Sequence, residues 1–163
     1  MAIEDVVAGL REELARLEYE FRVEIPKRIE HARELGDLRE SGEYESAKDR
    51  QGFLNARIAF LRARIAELQR IDLNTIPRDR VGFGSTVHLR DQESEEEKIY
   101  RLVAAEQVDT ARGWISVASP IGRSLAGKRA GDQVEVRTPG GAKTFAVMKV
   151  VTIHDDMSGA GGG

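Results

Sequence analysis

No cysteine occurs anywhere in the 163-residue chain, so disulfide staples, thiolate metal sites and cysteine nucleophiles are excluded and a reducing, cytoplasmic setting is expected. Apolar runs are short. None approaches the roughly 18 residues of a membrane-crossing helix, and Met1-Ala2-Ile3-Glu4-Asp5 lacks the basic and apolar stretches of a signal peptide. A soluble intracellular protein with no membrane partner is the expectation. An excess of positive charge is also missing: 25 basic against 28 acidic residues give a net charge of -3, which argues against a protein that grips nucleic acid by bulk charge. Gly82-Phe83-Gly84 does not complete a dinucleotide fingerprint, and no phosphate-binding loop is present. His31, His88 and His154 are dispersed without metal-ligand spacing, and the serines assemble no triad.

What the chain does have is a pair of heptad-patterned stretches. Ile3, Val7, Leu10, Leu14, Leu17, Phe21, Ile25, Ile29, Ala32 and Leu35 recur mostly three and four residues apart. Tyr44, Ala47, Leu54, Ile58, Leu61, Ile65 and Leu68 resume the alternation, with Gln51 as a polar seam position. This is the pattern of helices that pack along a seam. Joined by the short segment Gly36-Asp37-Leu38-Arg39-Glu40-Ser41-Gly42, they are expected to fold back as an antiparallel hairpin, with arms of roughly 45 to 50 Å at 1.5 Å per residue. Asp37, Glu40 and Glu43 then lie on or beside the bend. Pro26, inside the first arm, removes a helical hydrogen bond and marks a kink or break.

Charge is unevenly divided between the arms. Residues 1–35 carry six basic and nine acidic side chains, whereas 48–70 carry six basic and two acidic. Arg50, Arg57 and Arg64 repeat every seven residues and form one stripe. Two readings stay open for it: a flank that pairs with glutamates of the first arm, or a basic track for a phosphate backbone.

The pattern changes after Ile71. Residues 72–79 contain Pro77 and lose the heptad, so they read as a linker. Thr86–Leu89, Ile99–Val103, Trp114–Val117, Val134–Val136 and Thr144–Ile153 are rich in β-branched and aromatic residues and read as strands. Ser119 to Gly127 reads as a short helix with Ser119 as N-cap, Pro120 at the first helical position and Gly127 ending it. The acidic run from Glu93 to Glu97 reads as an exposed hairpin turn, and Trp114 is expected in the core. The chain is thus expected to be α+β: residues 1–76 a helical hairpin, 77–155 a small α+β domain, and 156–163 a flexible glycine-rich tail.

The acidic tip Gly36-Asp37-Leu38-Arg39-Glu40-Ser41-Gly42-Glu43-Tyr44, followed by Ala47-Lys48 and Gln51-Gly52, resembles the tip of the Gre family of bacterial transcript cleavage factors. Tyr100-Arg101-Leu102-Val103, Ile115-Ser116-Val117, Ser119-Pro120-Ile121-Gly122-Arg123, Leu125-Ala126-Gly127-Lys128 and Thr138-Pro139-Gly140-Gly141 are similar to that family's second domain in order and spacing. The resemblance implies an N-terminal coiled-coil hairpin followed by an FKBP-like domain. It further implies that the second domain docks at the secondary channel of RNA polymerase through the segment holding Ser119, Pro120, Gly122 and Arg123. The hairpin then carries its tip to the active centre and the nascent RNA 3′ end. The less basic branch of the family, which removes short fragments, fits the charge balance. A monomer is expected.

By the same resemblance Asp37 and Glu40 occupy the principal positions, recruiting Mg²⁺ held jointly with the polymerase. The chemistry suits them. Two-metal hydrolysis places one ion on the attacking water and one on the leaving oxygen, and magnesium takes one or two carboxylates while keeping waters. No ion tightly bound by the isolated chain, and no turnover of its own, is expected. Arg39, Glu43 and the stripe Arg50, Arg57 and Arg64 are assigned to supporting the tip or the RNA. Read without the resemblance, the bend is a solvated turn in which Asp37 caps the next helix and Glu40 and Glu43 favour its positive end. The tip departs from the common pattern at Ser41-Gly42, and Ala118 and Ala104 stand where relatives more often carry an acid and a glycine. Two rival functions remain: a channel-blocking inhibitor of polymerase on the same scaffold, and a prolyl isomerase fused to a coiled-coil adaptor.

Overall fold

The computed structural model describes residues 2–36 and 42–158 and divides the chain into two units, Met1–Ile71 and Asp72–Gly163. The boundary lies five residues before the expected one, because Ile76 is buried and the His154 ring Nε2 lies 2.8 Å from the Ile76 carbonyl, which ties the 3-10 turn Leu73–Thr75 to the second unit.

In the first unit, α1 (Ile3–Tyr19), a π turn (Glu20–Glu24) and α2 (Ile25–Glu34) form one arm, and α3 (Gly42–Gln69) forms the other. The Ala2 N–H donates to Asp5 Oδ2 at 3.3 Å, closing the start of α1. Leu17, Ile25, Leu54, Ile58 and Leu61 make the buried cluster, flanked by Leu10, Leu14, Phe21 and Ile29. Every expected apolar seam residue of α3 from Ala47 to Leu68 is buried. The first arm differs at both ends. Val6, not Val7, is the buried residue of the first turns, and Leu35 is 60% exposed, so the seam closes at Ala32.

The π turn explains an irregularity of the sequence. Leu17, Phe21, Ile25 and Ile29 follow one another at four-residue steps, one residue more than the alternation of three and four allows before the seam rotates away from its partner. A widened turn absorbs that residue: the Ile25 N–H donates to the Glu20 carbonyl, five residues back. Pro26 sits at the start of α2, where the missing N–H and the ring's demand on the preceding turn cost least.

The second unit is a five-stranded sheet in the order β3-β2-β1-β5-β4, with β1 Thr86–Asp91, β2 Glu97–Val103, β3 Trp114–Ser116, β4 Gln133–Thr138 and β5 Gly141–Val151. All neighbours are antiparallel except β2 and β3, whose parallel pairing requires a crossover. That crossover contains two 3-10 turns, Ala105–Gln107 and Thr110–Arg112. Val87 and Leu89, Leu102, Val134 and Val136, and Phe145 and Val147 alternate onto one face and are buried with Val81 and Leu125. Leu125 belongs to α4 (Pro120–Leu125). A bulge opposite His88 and Leu89 leaves Met148 47% exposed. The β1–β2 turn carries the acidic run: Asp91 is 4% exposed, and its carboxylate accepts the backbone N–H of Glu93 at 2.9 Å and of Ser94 at 3.4 Å. These bonds hold Asp91 below the usual carboxylate range.

Two expectations need correction. Residues 156–158 are not tail but the end of α5 (Ile153–Ser158), which also takes Ile153 from the expected last strand. Trp114 is outside the core cluster and only partly buried. The guanidiniums of Arg101 and Arg112 lie 5.3 and 5.2 Å from its ring, so cations over a π face hold it.

Candidate functional site

Asp37, Arg39 and Glu40 lie outside the described residues; the structure describes what holds the two ends of the segment that carries them. On the near side the N–H groups of Leu35 and Gly36 donate to the carbonyls of Ala32 and Arg33, both at 3.3 Å. Gly36 adopts φ 114°, a backbone that side chains rarely allow, and so turns the chain off the helix. On the far side α3 begins at Gly42. Near this end Ala32 of α2 and Ala47 of α3 are both fully buried. Arg28 Nη2 donates to Ser46 Oγ at 3.3 Å, and His31 Nε2 lies 3.9 Å from Glu43 Oε2. Glu43 and Glu45 stand in the first turn of α3, where the helix dipole favours negative charge. Glu43 is therefore an exposed helix-start residue facing the other arm.

Two residues of the arginine stripe form cross-arm clasps. Arg50 donates from Nε and Nη2 to the two oxygens of Glu20 at 2.7 and 2.8 Å. Arg57 does the same to Glu13 at 2.9 and 3.1 Å. Arg64 Nη1 lies 2.9 Å from Glu67 Oε2 on its own helix. The fork of hydrogen bonds to its arginine lowers the pKa of each first-arm glutamate, and the same bonds raise those of Arg50 and Arg57. In this structure two of the three guanidiniums assigned to a phosphate track are thus engaged with glutamates of the first arm. Sequence reasoning left Glu13 and Glu20 unnamed. Their position one residue ahead of the seam residues Leu14 and Phe21 matches that of Arg57 and Arg50 ahead of Ile58 and Gln51, which is the signal that would have found them.

In the second unit Ser119 accepts the Gly122 N–H at 3.1 Å and donates to the Ser116 carbonyl at 2.6 Å. One hydroxyl thus caps α4 and binds it to β3. Pro120 at the first helical position and Arg123 are exposed. Gly122 is buried, and a Cβ there would collide with the Ser116 carbonyl. Its part is to let α4 close onto β3; Pro120 and Arg123 are the residues of this segment that face outward.

Asp37 and Glu40 supply hard oxygen donors of the kind magnesium takes. Among the described residues no group of three or more His, Asp or Glu side chains could hold a metal ion, and no helix is long and apolar enough to cross a membrane.

A helical hairpin with its own buried seam, followed by a separately cored α+β unit, defines a two-unit protein of the hairpin-plus-domain class. Residues 4–69 match the family model described as transcription elongation factor, N-terminal, and residues 76–152 the one described as transcription elongation factor, GreA/GreB, C-term. Transcription elongation factor GreA of Sulfurovum sp. (strain NBC37-1) is 44% identical over 149 residues, covering 91% of this chain and 92% of that protein. Transcription elongation factor GreA of Desulfovibrio desulfuricans is 45% identical over 142 residues, 87% of each chain. Among solved structures, the GreA factor homolog 1 (Gfh1) protein of Thermus thermophilus is 28% identical, covers 88% of this chain and 93% of its own, and has a TM-score of 0.41. The chain belongs to the GreA/GreB family of transcription elongation factors.

Proposed function

We propose that this protein rescues backtracked transcription complexes by entering the secondary channel of RNA polymerase and stimulating the polymerase's own cleavage of the nascent RNA near its 3′ end. The single observation that carries the reading is the bend. A helical hairpin buried as far as Ala32 and Ala47 has the sequence Asp37-Leu38-Arg39-Glu40 between its two arms, in a chain whose both halves belong to this family. α3 alone, at 28 residues, is about 42 Å long at 1.5 Å per residue, a reach suited to a deep channel.

Asp37 and Glu40 would hold Mg²⁺ together with ligands of the polymerase, and the ion, when bound, supplies charge stabilisation for the attacking and leaving oxygens. The chain's own residues bind and orient. The carboxylates provide two oxygen ligands, Arg39 between them in the sequence balances charge or meets the RNA phosphate, and the clasped arms form the rod that carries the segment. The protein acts as a monomeric accessory whose ligands complete another enzyme's site. Pro120 and Arg123 contribute to docking through the second unit.

The test is magnesium-dependent RNA cleavage in stalled, backtracked complexes, comparing wild type with Asp37→Asn/Glu40→Gln. Wild type is expected to cleave, and the double variant to bind polymerase normally while losing at least about 100-fold in cleavage rate. Undiminished cleavage by the variant would overturn the assignment, and slowed elongation without cleavage by wild type would assign inhibition instead.

A further inference from the structure

The side of α3 turned away from the seam carries no charge from Gly52 to Ala63. It is built of Gly52, Phe53, Ala56, Ala59, Phe60 and Ala63, all exposed, with Phe53 at 56% and Phe60 at 54%. Since the opposite side is the buried seam, this part of α3 is apolar on both faces. A helix of that kind is ordinarily covered all round, and an exposed apolar patch with aromatic anchors marks an interaction surface. A Cβ placed at Gly52 would meet nothing within 4 Å, so the space above this face is open.

The neighbouring cations do not give the face a charge. Arg50 and Arg57 lie over the rings of Phe53 and Phe60 at 5.0 and 5.1 Å while both their forks are taken by Glu20 and Glu13. On the other flank Arg62 Nη2 is 2.7 Å from Glu18 Oε1. Nucleic acid is bound by cations that release counterions, and here each flanking cation is already neutralised. The face therefore complements an uncharged protein surface. Its size chooses among proteins: six residues fall far short of the roughly 20 to 30 per side of a stable standard interface, so it would not hold two copies together. It suffices as one contact of a chain anchored elsewhere. The rings, two helical turns or about 10.5 Å apart, project on either side of small residues, a relief that fits an apolar groove, and their arginine partners limit the side-chain freedom lost on contact.

We propose that this outward face of α3 is a docking surface for an uncharged, apolar groove in the protein wall of the polymerase channel. The proposal rests on the reading that the hairpin enters that channel.

The experiment compares wild type with Phe53→Gln/Phe60→Gln and Phe53→Leu/Phe60→Leu. Helical content by circular dichroism controls for folding, since glutamine and leucine are good helix formers. Affinity for core RNA polymerase is measured by competition with a labelled wild-type chain, a readout independent of cleavage, and cleavage is measured at saturating factor. The glutamine variant is expected to bind about tenfold more weakly, the leucine variant nearly as wild type, and both to cleave normally at saturation. Unchanged affinity of the glutamine variant would overturn the proposal. So would a loss confined to complexes with extruded RNA, which would assign the face to RNA, or wild-type self-association abolished by the variant, which would assign it to a second copy. If the glutamine variant loses affinity while Asp37→Asn/Glu40→Gln still cleaves, the tip assignment fails alone. If wild type does not bind polymerase, both readings fall.

Discussion

Glu13 and Glu20 are worth more to the hairpin as anions than as acids, and the direction of their titration follows from their partners. Each accepts two hydrogen bonds from one guanidinium, so its folded pKa is lowered from an unfolded value of about 4.3. The clasp's contribution is therefore complete above that value and is lost as pH falls through it towards the lowered folded value, while the arginines stay charged throughout. Arg50 and Arg57 are more than one-third exposed as side chains, at 38% and 37%. Solvent screening keeps each clasp near the roughly 0.5 to 1 kcal/mol of well-formed surface pairs. Glu13→Gln/Glu20→Gln should melt below wild type at pH 7, and the gap should narrow at pH 3. A gap that stays the same size in acid would mean that the clasps contribute nothing through charge.

At the scale of elements, the arm containing the π turn tests whether an extra residue and a proline compensate one another. Removing Arg22, which is exposed, restores the alternation of three and four from Leu14 to Ala32 but leaves the following proline inside an uninterrupted α-helix. The deletion alone should cost about 3 kcal/mol. Combined with Pro26→Ala it should recover most of that stability, read as the midpoint of thermal unfolding by circular dichroism; a combined variant as unstable as the deletion would show that the turn does not arise from this conflict. The break at Pro26 could be anticipated from the sequence because proline lacks a donor wherever it stands. The π geometry could not, since four-residue steps are also tolerated as drift in a curving helix. α3 was legible from Ala47 to Leu68 because its seam positions recur every third and fourth residue, with the half-buried Gln51 as the one polar member of that stretch. Leu35 was misread because period alone does not say where the partner helix ends. The strands and the Ser119 cap were legible from local chemistry, whereas the place of Trp114 depends on Arg112 in the turn just before it and on Arg101, which only the parallel pairing of β2 and β3 brings beside it. Of the candidate site, Asp37 and Glu40 are a proposal from the sequence and lie outside the described residues, whereas the pairing of the arms beside them was not legible: which glutamate meets which arginine follows from the register of two arms, a tertiary fact.

For the whole molecule, the division into two units separates the two jobs assigned to the chain. The second unit has its own buried core of nine residues and a sheet whose five strands all pair within it. A chain of some 90 residues buries enough surface to fold alone. Residues 72–163 expressed by themselves should therefore unfold cooperatively, with the fluorescence of Trp114, the chain's one tryptophan, reporting the transition. If docking resides there, this fragment should compete with the full chain for core polymerase and protect backtracked RNA from cleavage, because it occupies the entrance without delivering Asp37 and Glu40. Competition weaker than that of the full chain is expected by the factor that Phe53 and Phe60 contribute, about tenfold. A folded fragment that fails to compete at any concentration would move docking to the hairpin, whose lateral face would then have to provide the whole of the affinity.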